Sequence, residues 1–131
     1  MKFIIMSLIQ FYSMTYGVDA NYSIAIAKTE SNLKTDTITY EPKVNGYSYG
    51  LFQVRYITAK DLGYNGSKKD LLDVDINIKY GIKHIKRCMD KYGEDLNKVS
   101  CCYNAGLYRK AKVCKSDQVK LYQSKVQGYM K

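Results

Sequence analysis

Glu30 closes the segment Ala27-Lys28-Thr29-Glu30-Ser31, one helical turn beyond Ile26 and Ala27. Apolar neighbours at that spacing dehydrate a carboxyl, and dehydration raises its pKa toward the value a general acid needs at neutral pH. A solvated glutamate near a helix end is the plainer reading, and on this segment alone it prevails. Two further segments carry groups of a suitable kind. Gly46-Tyr47-Ser48-Tyr49-Gly50-Leu51-Phe52-Gln53-Val54 combines glycines that let a backbone approach a ligand with the Gln53 amide and the flat rings of Tyr47 and Tyr49, which suit sugars. A glycine-rich turn entering a buried run explains it equally well. Tyr103-Asn104-Ala105-Gly106 sets a hydroxyl and an amide at a helix end, or is simply a helix stop.

The inventory narrows the chemistry. Among 131 residues there is one histidine, His84, and only three glutamates, Glu30, Glu41 and Glu94. Mechanisms that require several imidazoles are excluded, and carboxylates are left to do the work; no metal or other cofactor is expected. His84, between Ile82 and Ile85 on a strongly periodic stretch, is given no catalytic role. The four cysteines, at 88, 101, 102 and 114, contain no C-x-x-C pair, which argues against a zinc knuckle. Buried, reduced thiols are the favoured reading, with a Cys88 to Cys114 type of bridge as the alternative in an oxidising compartment.

The formal charge of +9 is unevenly placed: residues 1–65 carry 6 basic and 5 acidic groups, residues 66–131 carry 15 and 7. The second half should face something anionic. Lysine supplies 18 of the 21 cations and arginine only Arg55, Arg87 and Arg109, a poor provision for reading base edges in DNA, so a basic nucleic-acid-binding helical protein is kept only as the less favoured alternative.

These groups need a scaffold, and the periodicity predicts a mainly helical one. A first helix carries Ile4, Leu8, Phe11 and Met14 or Thr15 on one side and stops at Gly17. The same stretch has the outline of a signal peptide, but Gln10 and Tyr12 interrupt its apolar run, and the helix is preferred. Asp19 caps a second helix that ends near Glu30. Residues 34–50 break the pattern, with β-prone Thr35 to Tyr40, Pro42 and an Asn45-Gly46 turn, as a hairpin or an irregular loop. Thr58 to Leu62 reads as a short helix. The strongest helix follows Asp73, with Ile78, Ile82, Ile85, Met89 and Tyr92 at steps of 4, 3, 4 and 3 and Gly93 as its stop. Leu96 to Tyr103 makes another, and Ser116 or Asp117 caps a last one carrying Val119, Tyr122, Val126 and Tyr129. No stretch has the roughly 20 apolar residues of a membrane span.

Taken together and in order, Glu30-Ser31, Gly50-Leu51-Phe52-Gln53 and Tyr103-Asn104-Ala105-Gly106 resemble the Glu-Ser, Gly-Leu-x-Gln and Tyr-Asn-x-Gly motifs of the lysozyme-like soluble lytic transglycosylase family. The likeness extends to Tyr16-Gly17-Val18-Asp19, Thr58-Ala59, Leu62-Gly63, Leu72-Asp73, Asn77-Ile78, Gly81, Tyr122 and Val126, nearly the whole chain. It implies a mainly α, α+β lysozyme-like fold over residues 1–131 as one domain, with an extended or irregular segment around residues 35–50 and a cleft holding Glu30. It also implies cleavage of the β-1,4 bond between N-acetylmuramic acid and N-acetylglucosamine in peptidoglycan. Glu30 would act as acid and then base, giving 1,6-anhydro ends, and Tyr103 would orient it by a hydrogen bond. Ser31, Ser48, Tyr49, Gln53, Tyr103 and Asn104 would contact substrate, with Tyr47 or Tyr49 under the sugars.

The chain also departs from the family pattern. Ser31 to Gly50 is longer than in the shortest members and carries Asp36 and Glu41, either of which would serve as the second carboxylate of a hydrolysing lysozyme. Tryptophan, the usual sugar platform, is absent. The expected partner is bacterial peptidoglycan, met as a monomer, with no nucleic acid and no membrane span. The expected place of action is the cell wall, and the size and N-terminus suit a phage-encoded lysin made without a clear export signal.

Overall fold

The computed structural model describes residues 1–131. The chain forms six α-helices and a small three-stranded sheet: α1 (Lys2–Tyr16), α2 (Ala20–Ser31), β1 (Ile38–Glu41), β2 (Gly46–Tyr49), β3 (Val54–Arg55), α3 (Tyr56–Asp61), α4 (Val74–Tyr92), α5 (Leu96–Ala105) and α6 (Asp117–Met130). The mainly helical α+β fold expected from the sequence is found. Its helices begin where the capping residues dictate: the Asp19 carboxylate accepts from Asn21 N–H, Asp73 from Ile76 N–H and Ser116 Oγ from Val119 N–H.

α4 is the spine, because its Ile78, Ile82 and Ile85 are fully buried and it packs against α1, α5 and β3. α2 lies along α6, and α5 closes the layer between α4 and α6. The core therefore sits between helices, and the sheet hangs from the C-terminal end of α2. Residues 34–50 form a hairpin rather than an irregular loop: β1 and β2 pair antiparallel with Tyr40 opposite Tyr47 and Thr39 opposite Ser48, and β3 extends the sheet beyond β2. Their connection is a short 3₁₀ turn, Pro42–Val44, closed by Asn45 in the left-handed region at φ 47°.

Two expectations are corrected. The first helix forms, but its buried stripe is Ile5, Ile9 and Ser13, whereas Ile4, Phe11 and Met14 are exposed. Ser13 is admitted to the core because its hydroxyl donates to Ser23 Oγ at 2.9 Å, and Tyr12 is drawn toward α4 by its hydroxyl on Asp75. Counting apolar residues alone turns the helix by about one position. The cysteines are neither reduced nor joined 88 to 114; they form Cys88–Cys102 and Cys101–Cys114 bridges. Successive residues on a helix point about 100° apart. Cys102 therefore meets α4, Cys101 meets the segment after α5, and each finds its own partner. No helix is long and apolar enough to cross a membrane.

Candidate active site

Glu30 stands in the last turn of α2, where α6 crosses it. The Tyr122 hydroxyl donates to Glu30 Oε2 at 2.6 Å. Burial pushes the Glu30 carboxyl up to about 8; the Tyr122 hydrogen bond opposes this rise and the nearby Glu41 carboxylate adds to it. Glu30 keeps some accessible surface on a groove of about 540 Å³ between the C-terminal halves of α2 and α6. A carboxyl that holds its proton near neutral pH and is fixed at one oxygen, on a residue that lines a groove, has the state a proton donor to a ligand needs. Sequence reading placed Tyr122 in an apolar stripe and overlooked its hydroxyl. The available signal was a tyrosine among core positions, since a buried phenol needs a partner.

Around Glu30, the Gly50–Gln53 turn is held by a residue to which no role was given. Asn77 on α4 is buried, and its side chain accepts from Phe52 N–H at 2.8 Å and donates to the Tyr49 and Leu71 carbonyls, each at 2.7 Å. Gly50 is required there twice over. Its φ is +74°, and an added Cβ would lie 2.5 Å from Asn77 Nδ2. Gly81 on α4 is likewise fixed, since a Cβ would come 2.4 Å from the Phe52 side chain. The motif glycines thus let two backbones meet under the site.

The other expected site residues fall into three groups. Ser31, Gln53 and Tyr103 build the floor. Ser31 Oγ donates to the Leu51 carbonyl at 2.7 Å, and Gln53 Nε2 to the carbonyls of Gly50 and Thr37 at 2.9 and 3.0 Å. Tyr103, expected to orient Glu30, instead donates to the Phe52 carbonyl at 2.6 Å, and the hydroxyl on the Glu30 carboxyl is that of Tyr122. Ser48 and Glu41 share one face of the sheet and are joined by a hydrogen bond from Ser48 Oγ to Glu41 Oε1 at 3.2 Å. Glu41 is the acid whose charge reaches Glu30, and exposed Asp36 contributes nothing to that shift. The pleat places Tyr47 and Tyr49, with Tyr40, on the opposite face, where their rings cluster at 5.3 and 6.5 Å. The sheet therefore does not set Tyr49 beside Ser48 and Glu41. Asn104 is exposed just past Tyr103.

His84 is buried against the Tyr103 ring, 4.8 Å between centroids, and dehydration together with Arg87 pushes its pKa down to about 4. It is a neutral prop under α5. No three His, Cys, Asp or Glu side chains gather as a metal centre.

A carboxyl at a helix end, a glycine turn braced beneath it and a tyrosine on the adjoining helix is a constellation that can be compared with known proteins. Residues 7–125 match the model of the Transglycosylase SLT domain. The chain belongs to the transglycosylase SLT domain family. Among solved structures, the fold is similar to an inactive mutant of the lytic transglycosylase Slt from Pseudomonas aeruginosa, with a TM-score of 0.79 at 20% identity over 95% of this chain. It is also similar to the 70-kDa soluble lytic transglycosylase from Escherichia coli, with a TM-score of 0.68 at 22% identity over 94% of this chain. The matched region is 23% and 19% of the length of those two chains. The SLT domain thus accounts for nearly all of this chain and under a quarter of theirs.

Proposed function

We propose that this chain is a peptidoglycan lytic transglycosylase, that residues 1–131 work as one catalytic domain, and that Glu30 is its acid and base. The observation that carries the reading is the Glu30 carboxyl, raised to about 8 by burial and pinned by Tyr122 on a residue that lines a groove, in a chain of the SLT family. Protonated Glu30 gives its proton to the glycosidic oxygen as the bond from that oxygen to C1 of N-acetylmuramic acid breaks. Ionised, it then takes the proton of the muramyl 6-hydroxyl as O6 bonds to C1. The proton count closes with Glu30 restored and no water consumed, so a single carboxyl suffices. Ser31, Gln53 and Tyr103 support this geometry from beneath, and Ser48, Tyr49 and Asn104 remain candidate substrate contacts. The substrate would be the bacterial wall, acted on from its periplasmic or outer side, with the chain working as a monomer and without a bound cofactor.

One observation favours a second reading. Glu41, braced by Ser48, is close enough to raise the Glu30 pKa. As a general base it would direct water at C1 and make the enzyme a lysozyme; inverting and retaining geometries call for carboxyls roughly 6.5–9.5 and 5–5.5 Å apart. Mass analysis of wall fragments separates the two. Transglycosylation releases anhydro-muropeptides one water lighter than the reducing ends made by hydrolysis. Anhydro products from the wild type and none from Glu30→Gln are expected. Reducing ends alone would reverse the assignment in favour of Glu41.

A further inference from the structure

The two disulfides differ in what stands around their sulfurs. Cys88 and Cys102 are both fully buried, so their bridge is closed to a reagent while the chain is folded. The other bridge has one fully buried end, Cys101, and one half-buried end, Cys114, on the 3₁₀ segment Ala111–Lys115 that leads into α6. A cation also rests on it. Arg109 Nε donates to Cys114 Sγ at 2.8 Å and to Cys101 Sγ at 3.1 Å. The guanidinium is held in place by the Tyr92 ring, whose centroid is 3.9 Å from its Cζ, and Tyr92 is itself fixed by its hydroxyl on the Leu107 carbonyl at 2.7 Å. No carboxylate pairs with Arg109, since the one ion pair of the fold joins Lys86 to Asp90. A neutral disulfide gains little from a guanidinium, but a thiolate gains much: a neighbouring cation favours it over the thiol, and exchange is faster when the departing sulfur is a stabilised thiolate.

We propose that Cys101–Cys114 is a thiol–disulfide exchange site for an external dithiol, with Arg109 holding the departing thiolate, and that Cys88–Cys102 is a structural bridge only. A thiolate of the dithiol bonds to Cys114 Sγ, the accessible end. The bond between the two cysteine sulfurs breaks, and its electron pair leaves on Cys101 Sγ beside Arg109. The second thiol of the reagent, once deprotonated, attacks the reagent sulfur bound to Cys114 and releases Cys114 as a thiolate. The dithiol ends as a disulfide, two electrons have passed to the protein, and the two protons shed by the reagent balance the two cysteine thiolates. Opening frees residues 106–116 from α5, where they also pack against α6, while Cys88–Cys102 still ties α5 to α4.

The test follows each bridge separately in the folded, full chain. Dithiothreitol is the probe, samples taken over time are quenched with N-ethylmaleimide, and peptide mass analysis counts the capped cysteines. Cys101–Cys114 should open roughly tenfold faster than Cys88–Cys102 or more. Arg109→Gln, which keeps the length and loses the charge, should slow that opening by about tenfold, and Arg109→Lys should keep it within about threefold of the wild type. Trypsin should then cut the opened chain at Arg109, Lys110 or Lys112 while sparing these sites in the oxidised chain. The sign of the Arg109→Gln effect separates the two roles that residue could have. A guanidinium that merely covers the bridge would leave it more exposed when removed, and opening would speed up. Faster or unchanged opening in Arg109→Gln, both bridges of the wild type opening at one rate, Cys88–Cys102 opening first, or an opened segment that still resists trypsin would each overturn the proposal. The ratio of the two rates is measured in the wild type, so the proposal stays open to refutation even if a variant fails to fold.

Discussion

Two regions a few residues apart on α5 are held by opposite means. Tyr103 and its surroundings, leading to Glu30, depend on hydrogen bonds: Tyr103 on the Phe52 carbonyl, Asn77 on the Gly50–Gln53 turn, Tyr122 on Glu30. Just before Tyr103, Cys101 and Cys102 are covalently tied in two directions, to Cys114 and Cys88. The difference follows from what each region must tolerate. A carboxyl that keeps its proton near pH 8 is one that the fold has dehydrated without giving it a cation, and that is destabilising once it ionises. A strong neighbouring charge would relieve the cost and spoil the acid. Cross-links act on the unfolded chain instead, so they steady α5 without touching the electrostatics of Glu30.

The largest expected effect comes from removing the costly group itself. Glu30→Gln should lower wall-lytic turnover by roughly 10³-fold, since an amide neither donates nor takes the proton. It should also be the more stable protein at alkaline pH. The folded pKa of about 8 lies above the ordinary 4.5, so the folded state holds an extra proton between those values and wild-type stability falls as pH rises through that window. Melting curves at pH 9 should therefore favour the variant, with the gap closing by pH 4. A variant that melts lower than wild type at pH 9 would contradict a dehydrated, unpaired carboxyl. On the other side of the comparison, the bridges span separations of 14 and 13 residues, for which chain-entropy arguments give about 3 kcal/mol each. Cys88→Ser with Cys102→Ser, and Cys101→Ser with Cys114→Ser, should each lower stability by that order in urea titrations while leaving the alkaline limb of the pH profile where it was. A shifted limb would mean that the cross-links do reach the electrostatics of the site.

What the sequence revealed and what it hid divide along the same line. Caps at Asp19, Asp73 and Ser116, stops at Gly17 and Gly93 and the α4 stripe are local signals, and they were readable because helix ends are built from neighbours in the chain. The three motifs were readable as an ordered set, and they led to the family. Pairings across the fold were not. Tyr122 is 92 residues from Glu30, and nothing in the α6 stripe separates a phenol that fills space from one that holds a carboxyl. Asn77 looks like an ordinary polar residue between Ile76 and Ile78 until the turn it braces is seen. The face of α1 was misjudged because a Ser13–Ser23 hydrogen bond makes a polar residue a core residue. Adjacent cysteines offered several pairings, and only the positions of α4 and of residues 111–115 select among them.

Smaller effects sharpen the division within the hydrogen-bonded region itself. Asn77→Ala leaves Phe52 N–H and two carbonyls without their partners in or near the core, and should cost roughly 2–4 kcal/mol in thermal or urea unfolding.

The finest distinction lies between the two tyrosines. Tyr122→Phe removes the bond that opposes the rise of the Glu30 pKa, so the alkaline limb of kcat/KM should move to higher pH, with a loss of roughly fivefold at the optimum from poorer orientation. Tyr103→Phe removes a bond to a backbone carbonyl and should lower stability by about 1 kcal/mol with the limb unmoved. Burial first and the Glu30 carboxylate second hold both phenols well above their ordinary range, yet only Tyr122 touches the carboxyl. If both substitutions move the limb alike, Glu30 is tuned by the whole aromatic cluster, and the contrast between a group held for chemistry and a frame held for stability runs between helices rather than between these two hydroxyls.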